Sequence, residues 1–206
     1  MPPMNQEFDQ AVARLIEAGH DLYAQGLVPA TSGNFSARLA NGDLAITVSG
    51  RHKGKLAPCD IMRVDGQGNS LDGKRPSAET LLHTGLYQLF PNIKFVLHPH
   101  SMAATLLSKL VKADVLLLQD YELLKAFPGI STHETTLAIP IFDNDQDIVR
   151  LAAKVELRLA ALVGVPAYLI RGHGFYTWGE SLEEALRHVE ALEFLLTCEL
   201  KLRGME

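Results

Sequence analysis

The strongest constraint on the fold is a change of hydrophobic period along the chain. Residues 5–27 repeat apolar side chains at helical spacing. Phe8, Val12, Leu15, Ile16, Leu22 and Tyr23 form one stripe, and Asn5 is placed to cap the start. From Thr31 to Gly50 the period falls to two. N-F-S-A-R-L and L-A-I-T-V-S read as two strands around an Asn41-Gly42-Asp43 turn. Ile61–Val64 is a third strand, closed by Asp65-Gly66-Gln67-Gly68. Strands and helices then alternate. Helices are predicted over 77–90, 101–110, 145–163 and 181–203, with a short one around 121–126. Strands are predicted over 94–98, 115–118, 135–142, 167–170 and 175–178. Pro140 has no N–H to give a ladder, so its strand is expected at a sheet edge or to end there. Ser181 with Glu184 predicts a capping box for the last helix. Consecutive strands followed by alternation predict an α/β fold: a mixed central sheet with helices on both faces.

A length of 206 residues, with no linker, repeat or low-complexity run, predicts a single domain over residues 1–206. An apolar content of 47% supports a buried core and excludes global disorder. The 19 Lys and Arg are scattered under a net charge of −5, so no nucleic-acid partner is expected. The start, M-P-P-M-N-Q-E-F-D-Q, shows no basic region followed by an apolar one, and no apolar run could span a bilayer. Cys59 and Cys198 make no C-x-x-C. A cytoplasmic protein with no membrane partner is the expectation. Neither G-x-G-x-x-G nor a P-loop motif is present, which argues against a doubly wound nucleotide-binding fold.

Candidate chemistry begins at His98-Pro99-His100. Residues i and i+2 of a strand share a face, so both imidazoles are expected to project together from the end of Phe95-Val96-Leu97, as two ligands of one ion would. Gly172-His173-Gly174, between two short strands, offers the third histidine of a metal site with an open position. Two polar histidines at a strand end and a lone turn histidine are the plainer alternatives. Glu79, near a helix start, and Glu122, after a very apolar strand, are candidate acids. They also fit a dipole-complementing residue and a solvated one. Three turns, at Ser32-Gly33-Asn34, Ser49-Gly50 and Ser77, offer backbone N–H groups to an anion, and Arg51, His52, Lys53 and Lys55 add positive charge.

In order along the chain stand S-G-N-F-S at 32, V-S-G at 48, P-S-A-E at 76, H-P-H-S at 98 and R-G-H-G-F-Y-T-W-G at 171. This series resembles the class II aldolase family, over nearly the whole chain. Q-D-Y-E-L-L-K at 119 and H-E-T-T-L-A-I-P-I-F-D-N-D-Q-D-I at 133 are similar to its methionine-salvage branch. Pro99 departs from the Thr more usual between the histidines. The resemblance implies a three-layer α/β/α domain of class II aldolase type. It implies one Zn2+ per subunit on His98, His100 and His173, with other divalent metals accepted. It implies phosphate binding by Ser32, Gly33, Asn34, Ser49, Gly50 and Ser77. Glu79 matches the aldolase catalytic glutamate, and Glu122 matches the acid/base of the dehydrating branch. The implied partner is a sugar phosphate, 5-methylthioribulose 1-phosphate in that branch. The implied assembly is a homotetramer with sites between subunits. Retro-aldol cleavage, pentulose-phosphate epimerisation and a non-catalytic binding module are the rival activities on this fold. The intact histidines speak against the binding module.

Overall fold

The computed structural model describes residues 4–162 and 164–204; Val163, predicted to end a long helix, lies outside them. Helix α1 (Met4–Ala24) leads into β1 (Asn34–Arg38), β2 (Leu44–Thr47) and β3 (Ile61–Val64). Then come α2 (Thr80–Leu89), β4 (Phe95–His98), α3 (Met102–Leu110) and β5 (Val115–Gln119), followed by a 3-10 turn at Glu122–Ala126. The chain ends with β6 (Thr136–Phe142), α4 (Ile148–Ala160), β7 (Ala167–Ile170), β8 (Gly174–Gly179) and α5 (Leu182–Arg203).

Among the described residues the strands make one eight-stranded sheet, ordered β3-β2-β1-β4-β8-β7-β6-β5. β6 and β7 run parallel and the other neighbours antiparallel, so the sheet is mixed as expected. Alternation along each strand divides the apolar side chains between two cores. Phe35, Ala37, Leu97 and Phe175 pack with Val12 and Leu15 of α1, Leu107 of α3 and Leu192 of α5. Val96, Tyr168, Tyr176 and Trp178 pack with Leu82 and Leu86 of α2 and Leu151 and Val155 of α4. Each buried Leu or Val contributes about 1.5–3 kcal/mol, far more than the helix propensity of any one residue, so the stripes and not local preference seat the helices. No helix among the described residues is long and apolar enough to cross a membrane.

Three local expectations change. Helix α1 already runs at Met4, one residue ahead of Asn5. Ser181 caps α5 by accepting from Glu184 N–H, but the Glu184 carboxylate takes the N–H of Glu180 and not that of Ser181. Strand β6 is not an edge strand; β5 holds that place. Pro140 is tolerated because the β7 ladder pairs only Ile141 and Phe142, beyond the proline.

The order of strands fixes where chemistry can converge. β1 and β8 both flank β4 and run opposite to it. The start of β1, the end of β4 and the start of β8 therefore meet at one end of the sheet's centre. Those positions are Asn34, His98 and Gly174.

Candidate active site

His98 ends β4 fully buried, with its Nδ1 2.8 Å from the Phe175 carbonyl oxygen. A carbonyl only accepts, so Nδ1 carries the proton and Nε2 presents a lone pair. His100 follows past Pro99, its backbone N–H bonded to the Leu27 carbonyl at 2.8 Å. His173 projects from the turn before β8. That turn is pinned by Gly172 N–H donating to Ser108 Oγ (2.9 Å) and by the Thr105 hydroxyl donating to the His173 carbonyl (2.8 Å). Gly174 permits the approach, since a Cβ there would collide with the Pro99 carbonyl oxygen.

The three side chains converge through Nε2. His98 and His173 are 3.4 Å apart at those atoms, and His173 and His100 3.0 Å. Ligands 2.0–2.1 Å from a tetrahedral ion stand roughly 3.3 Å from each other, so the spacing suits one cation with a position left open. Burial holds the His98 imidazole well below its ordinary pKa and brings His100 down to about 3, helped by the neighbouring histidines. Both are neutral donors at working pH. Among the described residues this is the group of His, Cys, Asp and Glu side chains whose ligand atoms cluster closely enough for a metal.

Glu79 closes one side of the cluster. It is the cap residue of α2, which begins at Thr80 and not at Ser77. Its carboxylate lies 3.5 Å from His173 Nε2 and 3.7 Å from His98 Nε2, and it accepts from Asn34 Nδ2 at 2.6 Å. The side chain is 15% exposed, open to the cleft and otherwise enclosed.

The three anion turns, scattered in sequence, line one cleft of about 370 Å³. Ser32-Gly33-Asn34, Ser49-Gly50 and Ser77 share it with Glu79, His100 and His173. Ser32 Oγ is buried there without a hydrogen-bond partner. Gly33, at φ 75°, lies so close to the His98 carbonyl that a Cβ would not fit, which locks the first turn against the histidine strand. The Asn34 side-chain amide is taken up by Glu79 and His83, so it shapes the cleft wall.

Lys53 also has a place that its spacing did not reveal. It is buried beneath the turns, and its ammonium donates to the carbonyls of Arg51 (2.7 Å) and Thr31 (3.1 Å). It therefore ties two of the anion turns together and sets a positive charge under them. Desolvation brings its pKa down to about 8, opposed by Asp60 and Glu79.

Glu122 is not brought to this cleft within one chain. It opens the 3-10 turn that follows β5, and β5 is four places from β4, roughly 19 Å at the usual strand spacing. Counting strand directions outward from β4, β5 ends at the opposite edge of the sheet from His98. The Glu122 side chain is 73% exposed, bonded to Lys125 at 2.6 Å, with His133 at 3.6 Å. Lys125 holds its carboxyl below the ordinary range.

The family described as Class II Aldolase and Adducin N-terminal domain matches residues 13–200. The chain is 61% identical over 200 residues to a methylthioribulose-1-phosphate dehydratase of Methylococcus capsulatus, covering 97% of this chain and 98% of that one. It is 58% identical over 203 residues to one of Pseudomonas paraeruginosa, covering 98% and 99%. Among solved structures it is similar to L-fuculose-1-phosphate aldolase from Thermus thermophilus, with a TM-score of 0.77 and 27% identity. That match covers 96% of this chain and 97% of the other.

Proposed function

This chain belongs to the class II aldolase family, and from that premise we propose that it is a metal-dependent hydro-lyase acting on 5-methylthioribulose 1-phosphate. The product is 2,3-diketo-5-methylthiopentyl 1-phosphate, with one water released. The observation that carries the reading is a single cleft that joins one carboxylate and three anion turns to a three-histidine cluster, His100 and His173 lining it and His98 buried behind them. The identity to named dehydratases over nearly the full length selects the reaction.

His98, His100 and His173 hold one Zn2+ per chain, with other divalent ions accepted. Bound there, the ion supplies a Lewis acid for the oxygens at C2 and C3 of the ketose. Ser32, Gly33, Asn34, Ser49, Gly50 and Ser77 hold the phosphate through backbone N–H and hydroxyl donors, with the Lys53 charge beneath them. Asn34 and Glu79 form the wall against which the ketose oxygens are aligned. Loss of water needs a group that takes the C3 proton and returns it to the departing C4 hydroxyl. Glu122 of a neighbouring copy in a homotetramer fills that role, since its own chain leaves it exposed and far from its own cleft. The setting is methionine salvage in the cytoplasm.

One observation favours a second reading, retro-aldol cleavage of a sugar phosphate. Glu79 is the carboxylate that the chain itself places at the histidines. The two readings separate by product analysis on metal-loaded protein. With 5-methylthioribulose 1-phosphate the expected product is the diketone with no carbon–carbon cleavage. Two shorter fragments would instead establish the aldolase reading.

A further inference from the structure

Behind Glu79 and Asn34 lie three buried polar side chains, Ser36, His83 and Tyr87, with no part in the chemistry proposed so far. On α2, His83 and Tyr87 follow Glu79 by four and eight residues and share its face. On β1, Asn34 and Ser36 are two apart and share the strand face turned to that helix. The two faces interlock. Tyr87 Oη lies 2.9 Å from Ser36 Oγ, and Ser36 Oγ lies 2.7 Å from His83 Nδ1. His83 Nε2 bonds Asn34 Oδ1, and Asn34 Nδ2 donates to Glu79 at 2.6 Å. His83 is fully buried, with the edge of its ring against Tyr176.

The direction of every bond in this row follows from its last member. A carboxylate only accepts, so the Asn34 amide must turn its NH2 to Glu79 and its oxygen to His83. That oxygen only accepts, so His83 Nε2 carries the hydrogen. Burial brings the His83 pKa down to about 4, so the ring is neutral and Nδ1 is a bare acceptor. Ser36 then donates to Nδ1 and accepts from the Tyr87 hydroxyl, whose hydrogen is shared with the Lys94 carbonyl at 3.3 Å. From Ser36 onward the donors point towards Glu79. Because an amide does not pass a proton on, the row orients and does not conduct.

We propose that His83 is a positioning residue: by donating to the Asn34 oxygen it fixes the amide's orientation, and so holds the Glu79 carboxylate against the three-histidine cluster. Without that donor the amide is held at one end only and its buried oxygen is left unpaired, so it can swing away to find another donor and take the Glu79 carboxylate with it. The inference rests on the placement of Glu79 in the active site, and it holds for the dehydratase and aldolase readings alike.

Two measurements on the Zn2+-loaded protein test it. Nitrogen-15 NMR of the imidazoles is expected to show His83 as the neutral form protonated at Nε2. A proton on Nδ1 would overturn the proposal whatever the protein's activity. In kinetics at saturating Zn2+, His83→Leu is expected to lower kcat about 10- to 100-fold, the cost of a misplaced group, with KM unchanged. His83→Gln, whose amide can still donate to Asn34, is expected to recover most of that loss. Against an Asn34→Ala background, His83→Leu should lower kcat no further. Should the two losses multiply, or His83→Gln remain as slow as His83→Leu, His83 acts by packing alone and the proposal falls. If His83→Leu does not fold, the NMR result and His83→Gln decide.

Discussion

The carboxylates Glu79 and Glu122 occupy opposite kinds of ground. Glu79 stands at the centre of the sheet, with Asn34 bonded to it and a row of polar groups behind it. Glu122 stands past the edge strand with a lysine and a histidine for company, open to solvent. Enclosure gives Glu79 a fixed place and no freedom. Exposure gives Glu122 freedom and no fixed place, so any catalytic order it has must come from a surface outside its own chain. A group built into the core is legible as part of a site in one chain; a group on the rim becomes so only in an assembly.

The largest effect should come from breaking the centre outright. The double variant His98→Ala, His100→Ala is expected to lose the bound metal and all activity, while circular dichroism shows a folded protein, because most of the apolar burial lies in other side chains on both faces of the sheet. Stoichiometric metal in that variant would displace the site. The next test sets centre against rim. Glu122→Gln should lower kcat about 10²–10⁴-fold with metal content unchanged, whereas Glu79→Gln should weaken metal retention together with activity. A near-normal Glu122→Gln beside a dead but metal-replete Glu79→Gln would transfer the chemistry to the centre and favour aldol cleavage. A smaller change is expected from Ser49→Glu, which puts like charge in the anion cleft. KM should rise at least about tenfold, some 1.4 kcal/mol, and inorganic phosphate should compete with substrate for the unmodified protein.

Acid distinguishes the regions by stability. His83 titrates near 6.5 when unfolded and is brought down to about 4 by burial when folded. Between these values the unfolded chain binds the extra proton, so stability falls as pH drops from about 6.5 to about 4 and levels off below. The contribution is on the order of 3 kcal/mol. Denaturant unfolding at several pH values should show His83→Leu with a shallower loss than the parent over that window; equal slopes would refute it. At the rim the effect should be smallest. Lys125→Ala removes an exposed ion pair, and its melting temperature should match the parent's within error.

Much of this was legible because period and spacing act locally. The alternation of Phe35 and Ala37 with Asn34 and Ser36 fixes which faces are apolar, and H-P-H places two imidazoles on one side of a strand end. Sequence reading also put Glu79 and the Ser/Gly turns near the chemistry. What it could not supply was long-range register. Nothing local says that β8 slots beside β4, that Lys53 lies under two turns, or that the Asn34 side chain bonds Glu79 and His83. Pro140 misled for the same reason, since whether a proline sits at an edge depends on where the neighbouring ladder begins. His83 had a visible signal, the i, i+4, i+8 row with Glu79 and Tyr87. A polar row on a buried helix face gains meaning only once the opposing strand is known.

The place of β8 carries a consequence for the order of events during synthesis. It is the last strand to leave the ribosome, yet it lies in the middle of the sheet, between β4 and β7. His98 and His100 emerge more than seventy residues before His173 and wait as a pair. A nascent chain therefore has two thirds of a cation site while about a third of its length is made, and the third nitrogen arrives only as the sheet is closed through its middle. The three-histidine cluster is thus assembled late, after β8 is made and with only α5 still to follow.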